Sequence, residues 1–143
     1  MKPFEPFEHP ADAGILARGR TLEELFDHAG LGLWSLISET DLAAVPADPA
    51  VARRIALEAV SVEELLFAWL RELLYFFSAE GMILHRHRFG VLEETRLAAE
   101  SRGFRFDPLR HSPLMEVKAV TRHQFQVRKT DAGIWEARII FDV

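Results

Sequence analysis

Residues 61–81 read SVEELLFAWLRELLYFFSAEG, and this stretch decides the fold class because it is a clear helix between regions of strand character. Ser61 and Glu64 form a capping box, in which a hydroxyl and a carboxylate satisfy amides of the first turn. Apolar residues then recur at spacings of three and four on one face: Leu65, Leu66, Trp69, Leu70, Leu73, Leu74 and Phe77. Gly81 is a typical C-terminal stop. The pattern predicts a helix with a wide apolar stripe.

A second helix is predicted upstream. Thr21 and Glu24 repeat the capping box. The apolar residues that follow on one helical face are Leu22, Leu25, Phe26, Ala29, Leu33, Leu36 and Ile37.

Most of the remaining chain alternates apolar and polar residues, the period of a half-buried strand. The predicted strands are residues 4–8, 14–19, 51–59, 82–89, 93–100, 116–121, 124–128 and 135–142. Runs of strands with only two helices predict an α+β fold. We expect a two-layer α/β sandwich, with a mostly antiparallel sheet and both helices on one face. No linker divides the sequence, so we predict one domain over residues 1–143.

Composition narrows the functional classes. Hydrophobic residues make up 49% of the 143 and the net charge is −5, as in ordinary globular proteins. A chain that holds RNA by itself usually has a basic excess, so we expect any role in RNA metabolism to act through a protein partner, unless a local basic patch exists. The absence of cysteine excludes disulfides, thiolate zinc sites and cysteine nucleophiles. Neither a membrane-spanning run nor a signal peptide is evident, so we expect a cytoplasmic protein. We also expect it to be a monomer.

Two acidic positions suggest a metal site. Asp12 lies in a turn-like segment near the start, and Asp142 and Val143 end the last strand. Each alone is best interpreted as a turn residue or a solvated strand end. If the Asp12 loop meets the last strand, three carboxylates converge, counting the C-terminal one, and a hard divalent cation would relieve their repulsion. Water or a partner would complete the coordination.

Other candidates have weaker support. His85 and His87 share a strand face, but no third ligand is identifiable, so a solvated basic strand is preferred to a metal site. The segment RGFRFDPLR, residues 102–110, could stack on bases, although a strand and turn with two core phenylalanines is preferred. Lys118 is interpreted as solvated, and no sequence frame for a catalytic nucleophile is present.

Several segments together resemble the archease family. They are residues 7–37 (FEHPADAGILARGRTLEELFDHAGLGLWSLI), the second helix, FDPLRH, EVKAVTRHQFQV and the C-terminal WEARIIFDV. The resemblance spans nearly the whole chain in the expected order.

The resemblance implies a non-enzymatic activator of the RtcB-type tRNA-splicing ligase, which joins RNA ends with GTP and manganese. Archeases promote guanylylation of the ligase and its multiple turnover. The family's metal, calcium with magnesium or manganese as alternatives, would be held here by Asp12, Asp142 and Val143. Lys118 and His9 would be functional or partner-contacting residues, and RNA would be contacted only indirectly.

The sequence departs from the family pattern at three positions: Pro10 replaces a threonine, Arg122 a common tyrosine and Val143 an isoleucine. The tyrosine loss bears on partner contact more than on metal binding. Two rival functions are considered. One is a chaperone-like modulator of an RNA-modification enzyme such as a tRNA methyltransferase, acting through an exposed apolar surface. The other is a small metal-dependent hydrolase, for which only the carboxylates argue.

Overall fold

The computed structural model describes residues 1–9 and 12–143, with the side chains of residues 8 and 9 excepted. The elements in chain order are β1 (Phe4–His9), β2 (Asp12–Gly19), α1 (Leu22–Ile37), β3 (Ala52–Glu58), α2 (Val62–Glu80), β4 (Met82–Leu92), β5 (Arg96–Arg105), β6 (Ala119–Lys129) and β7 (Trp135–Asp142). A short 3-10 helix, Leu42–Ala44, lies between α1 and β3.

Both helices begin where their capping residues predict. The Glu24 amide donates to Thr21 Oγ1 at 3.1 Å, and the Glu64 amide donates to Ser61 Oγ at 3.2 Å. Helix α2 ends at Gly81, whose φ of 68° lies in the left-handed region that glycine adopts without steric cost. Local signals therefore define three of the four helix ends.

The strands form two sheets. One has the order β1-β2-β7-β6 and the other β3-β5-β4, and every neighbouring pair is antiparallel. The predicted α+β class is confirmed, with the refinement that the sheet is divided in two. Both helices bridge the division, since α1 packs on β2 and β4 while α2 packs on β4 and β6.

The core between helices and sheets contains two fully buried tryptophans. The indole of Trp34 donates to the Leu84 carbonyl at 2.9 Å, and that of Trp69 donates to the Phe26 carbonyl at 3.1 Å. Each side chain thus buries a large apolar area without leaving its N–H unsatisfied. These contacts join α1 to β4 and α2 to α1.

Two strands differ most from their predicted bounds. β5 continues to Arg105 and a turn follows it, as predicted for residues 102–110. Of the two predicted core phenylalanines, Phe104 is buried and Phe106 packs half-buried against the core. β6 is one strand where two are predicted, because the chain stays paired with β7 on both sides of an irregularity between Thr121 and Gln126. Among the described residues, no helix has the length and hydropathy needed to span a bilayer.

Candidate functional site

The two acidic residues from opposite ends of the sequence lie side by side. Asp12 opens β2, Asp142 closes β7, and the two are direct Cα partners in the antiparallel register. Directly opposed residues of an antiparallel pair have Cβ atoms about 4.5–5.5 Å apart and share a sheet face. We call Asp12 and Asp142 the carboxylate pair.

The carboxylate pair lies on the outer face of the four-stranded sheet. Ile139 and Phe141 of β7 are fully buried in the core, so the alternating residue Asp142 points away from it. Asp142 is exposed and Asp12 is half-buried. The pair is therefore accessible to an ion and to water.

The other predicted residues surround the pair. The Lys118 amide donates to the Asp142 carbonyl at 2.8 Å, and the Lys118 side chain is exposed. The Val143 side chain packs against the core, and its terminal carboxylate lies within one residue of Asp142. His9 is the Cα partner of Asp12, so its backbone is adjacent, while its side chain lies outside the described part of the chain. Pro10 also lies outside it.

An aromatic ring and a guanidinium group pack together next to the carboxylate pair, on the same strands. Phe7 is the register partner of Gly14, and its ring occupies the space that a Cβ at Gly14 would need, 2.2 Å from the ring carbon Cζ. The guanidinium of Arg138 lies over the Phe7 ring, 4.2 Å from its centroid. A side chain at position 14 would displace this aromatic ring beside the carboxylates.

The donor set fits a hard cation. Two side-chain carboxylates on adjacent strands provide oxygen ligands, which calcium and magnesium prefer. Among the side chains that the structure describes, which leave out residues 8–11, no three histidine, aspartate or glutamate groups are arranged to hold a metal ion. The terminal carboxylate, water or a partner would supply the remaining ligands.

The second candidate, His85 and His87, is not a solvated strand face, and that interpretation was wrong. Side chains alternate between the two faces of β4. Arg86 and Arg88 are exposed on the outer face, so the rings of His85 and His87 point inward. His87 contacts Ser101 Oγ at 2.7 Å, and His85 Nε2 contacts the Val45 carbonyl at 3.0 Å. Burial lowers the pKa of His87 to about 3, so this half-buried histidine is neutral.

Arg122, the departure from the family's tyrosine, has an intramolecular role. It donates to Glu64 at 2.6 Å, and its guanidinium lies 4.1 Å from the centroid of the Phe67 ring. Phe67 also packs edge-on against Phe125, with 5.4 Å between the ring centroids. Arg122 therefore links β6 to α2.

A sequence profile of the archease protein family (MTH1598/TM1083) matches residues 4–143. The chain belongs to the archease family. This confirms the resemblance inferred from the sequence segments.

Individual archeases agree over their full length. The archease of Thermococcus gammatolerans is 35% identical over 147 residues, and that of Pyrococcus furiosus is 32% identical over 146, with all of each chain covered. The solution structure of protein 1598 from Methanobacterium thermoautotrophicum is 32% identical, with a TM-score of 0.79 and full coverage of both chains. An archease from Thermotoga maritima, described as a possible chaperone, shares the fold with a TM-score of 0.67 at 21% identity, covering 97% of this chain and 96% of its own.

One group of residues was not identified from the archease sequence. Five exposed arginines lie on the outer face of the three-stranded sheet: Arg54, Arg86, Arg88, Arg96 and Arg102. The available signal was the alternation in His85-Arg86-His87-Arg88, which places arginines on one face of β4. Which face is outward, and which strands lie beside it, depends on tertiary pairing.

Proposed function

We propose that this archease is a non-enzymatic activator of an RtcB-type RNA ligase, promoting guanylylation of the ligase and its multiple turnover. The family membership and the pairing of Asp12 with Asp142 support this proposal. The pairing is the observation that carries it, because it joins two predicted ligands that the sequence leaves far apart.

In the proposed site, Asp12, Asp142 and the terminal carboxylate of Val143 hold a divalent cation, calcium in the first instance, with magnesium and manganese as alternatives. Such a cation supplies positive charge at a surface that would otherwise be acidic. Lys118, exposed and bonded through its backbone to Asp142, and His9, beside Asp12, are proposed to contact the ligase.

The proposal is tested by multiple-turnover ligation with the RtcB-type ligase of the same organism, GTP and manganese. We expect wild type to stimulate product formation and Asp12→Asn to abolish the stimulation. Asp131→Asn is the matched control, since Asp131 is an exposed aspartate in the turn between β6 and β7. That turn lies at the other end of β7, roughly 24 Å from Asp142.

Each outcome of this assay has a distinct meaning. Absence of stimulation by wild type contradicts the activator proposal. Full stimulation by Asp12→Asn would be consistent with an activator, but it would contradict a role for the carboxylate pair in the activation.

A second candidate function is a chaperone-like modulator of an RNA-modification enzyme such as a tRNA methyltransferase. It is supported by three exposed apolar residues between β5 and β6, namely Leu109, Leu114 and Met115. Exposed apolar side chains of this kind suit a protein interface. If this function is correct, Leu114→Ser/Met115→Ser should weaken modulation of the RNA-modification enzyme and leave ligase stimulation intact. Loss of ligase stimulation with unchanged modulation would favour the ligase instead.

A further inference from the structure

The exposed face of the three-stranded sheet is strongly basic in an acidic protein. We define the arginine face as Arg54, Arg86, Arg88, Arg96 and Arg102. Residues of β5 alternate in burial, with Leu97, Ala99 and Ser101 buried, which places Arg96, Glu100 and Arg102 on the outer side.

Cross-strand pairing gathers the remaining arginines beside these. Arg102 is the register partner of Arg86. The Arg86 guanidinium donates to the Val45 carbonyl at 3.1 Å beside the edge strand β4, and so also borders the cleft next to His87. In the next row, Glu100 lies between Arg88 of β4 and Arg54 of β3. The five arginines thus occupy three adjacent strands, an area about 10 Å wide and 20 Å long.

The balance of charge on this face is positive. Five arginines lie beside two acidic residues, Glu58 and Glu100, which leaves the face at +3 while the whole chain has −5. The rest of the surface is therefore acidic. Because charges are screened over about 8 Å at physiological salt, a polyanion at this face experiences mainly the local arginines.

Glu100 accepts hydrogen bonds from two of the arginines, and its single negative charge leaves the face positive. Arg102 donates to Glu100 Oε1 at 2.7 Å, and Arg88 donates to Oε2 at 3.2 Å. These bonds and charges lower the pKa of Glu100, with Arg102 as the main cause. The side chain of Arg88 is 84% exposed and uses one of its five N–H donors in this bond. Most of its donors therefore face solvent.

The chemistry of the face suits phosphate better than a protein surface. Protein interfaces are depleted of charge at their centre and rich in aromatic anchors, whereas this face has a charged central row. Between the arginines lie small side chains, among them Ala56, Ala98 and Val91, around a shallow depression of about 290 Å³. All residues that line this depression lie in described strands, and none of them is aromatic. Interfaces with nucleic acid are polar and positive, and arginine forks bind phosphate oxygens in pairs.

We propose that the arginine face binds the sugar–phosphate backbone of RNA directly and without sequence preference. The expectation of indirect RNA contact depended on the net charge of the whole chain, which does not show the positive charge of this one face. Without aromatic residues for base stacking, binding is electrostatic, and it weakens steeply with salt. The proposal is independent of any ligase, because it concerns the archease alone.

The test is fluorescence anisotropy of labelled RNA titrated with the full chain. The probes are an oligouridylate of about 20 nucleotides and an RNA hairpin of about 12 base pairs, at salt from about 50 to 200 mM. The test variant is Arg54→Gln/Arg88→Gln. The control is Arg20→Gln/Arg110→Gln, which removes the same charge at two exposed arginines outside the arginine face.

We expect both RNAs to bind wild type. The test variant should bind about tenfold more weakly, with the slope of log K against log salt reduced by roughly 1.4 for the single strand. The control should stay within about twofold of wild type, because it leaves the local field unchanged. Arg54→Lys/Arg88→Lys should keep the wild-type salt slope, since the charges remain.

Three results would overturn the proposal. They are an absence of RNA binding by wild type at the lowest salt, an equal loss of affinity in the control, and tighter binding of polyglutamate than of either RNA through the same arginines. The last would identify an acidic protein surface as the occupant.

Discussion

Asp12 and Asp142 are direct partners across β2 and β7, although they lie near opposite ends of the sequence. Like charges placed opposite each other in a sheet are unfavourable, and a bound cation offsets this cost. The pair is therefore expected to couple metal binding to stability.

Calcium should raise the melting temperature of wild type through this pair. At a concentration ten times the Kd, binding to the folded state contributes about 1.4 kcal/mol, or roughly 3–6 °C for a chain of this size. Asp12→Asn and Asp142→Asn should each remove most of this shift, whereas Asp131→Asn should keep it. Thermal unfolding by circular dichroism, with calcium and with a chelator, measures the effect. A shift that persists in both pair variants would place the ion elsewhere.

The C-terminus should tolerate extension poorly. Val143 packs its side chain against the core, and an extension converts its terminal carboxylate into an amide. We expect a short C-terminal tag to reduce both calcium stabilisation and ligase stimulation. An N-terminal tag should have a mild effect, because Met1 is 59% exposed. Equal behaviour of the two tagged proteins in both assays would argue against a role for the terminal carboxylate.

His87 should make the fold sensitive to mild acid. Its pKa is about 3 in the folded chain, below the ordinary 6.5, mainly because of burial and secondarily because of His85. The unfolded chain therefore takes up the proton first, and stability is full above pH 6.5 and lost as pH falls toward 3. Between pH 6 and 4 this single group accounts for about 2 to 3 kcal/mol of lost stability.

The measurement for His87 is urea unfolding at several pH values. His87→Gln should lose about 2 to 3 kcal/mol less than wild type between pH 6 and 4. His123→Gln, which removes an exposed imidazole elsewhere in the chain, is the control. The other titratable groups lining the same cleft are Glu23, Glu24, Asp27, His85 and Arg86. They are common to all three proteins, so an unchanged pH dependence in His87→Gln would contradict the assignment.

Gly103 should be intolerant of any side chain. A Cβ there would lie 1.6 Å from the Ile83 carbonyl oxygen, a backbone atom of β4 that moves only with its strand. We expect Gly103→Ala to cost about 3 kcal/mol or more of unfolding free energy. Gly90→Ala is the control in the same sheet, since its nearest atom would be 3.8 Å away, and it should change stability by less than about 1 kcal/mol. Similar stabilities of the two variants would contradict this close approach of β4 and β5.

Which features were predictable depends on the range of the interactions that form them. Both helices followed from the sequence, because capping bonds such as Thr21 to Glu24 join residues three apart. The strands followed from their alternation, although β5 ran past its predicted end because the pairing of Gly103 and Phe104 with β4 is a tertiary contact. The archease resemblance was also readable, since it depends on the order of motifs along the chain.

Only the tertiary structure decided which residues meet and which faces are exposed. A two-residue period shows that His85 and His87 share a face, but packing against α1 and α2 decides that this face is buried and that Arg86 and Arg88 face solvent. In the same way, the sequence predicted a metal site only if Asp12 and Asp142 lie close together. The register of β2 with β7 places them opposite each other. The physical reason is that strand register and sheet order are set by hydrogen bonds and core contacts between distant segments, which no local pattern encodes.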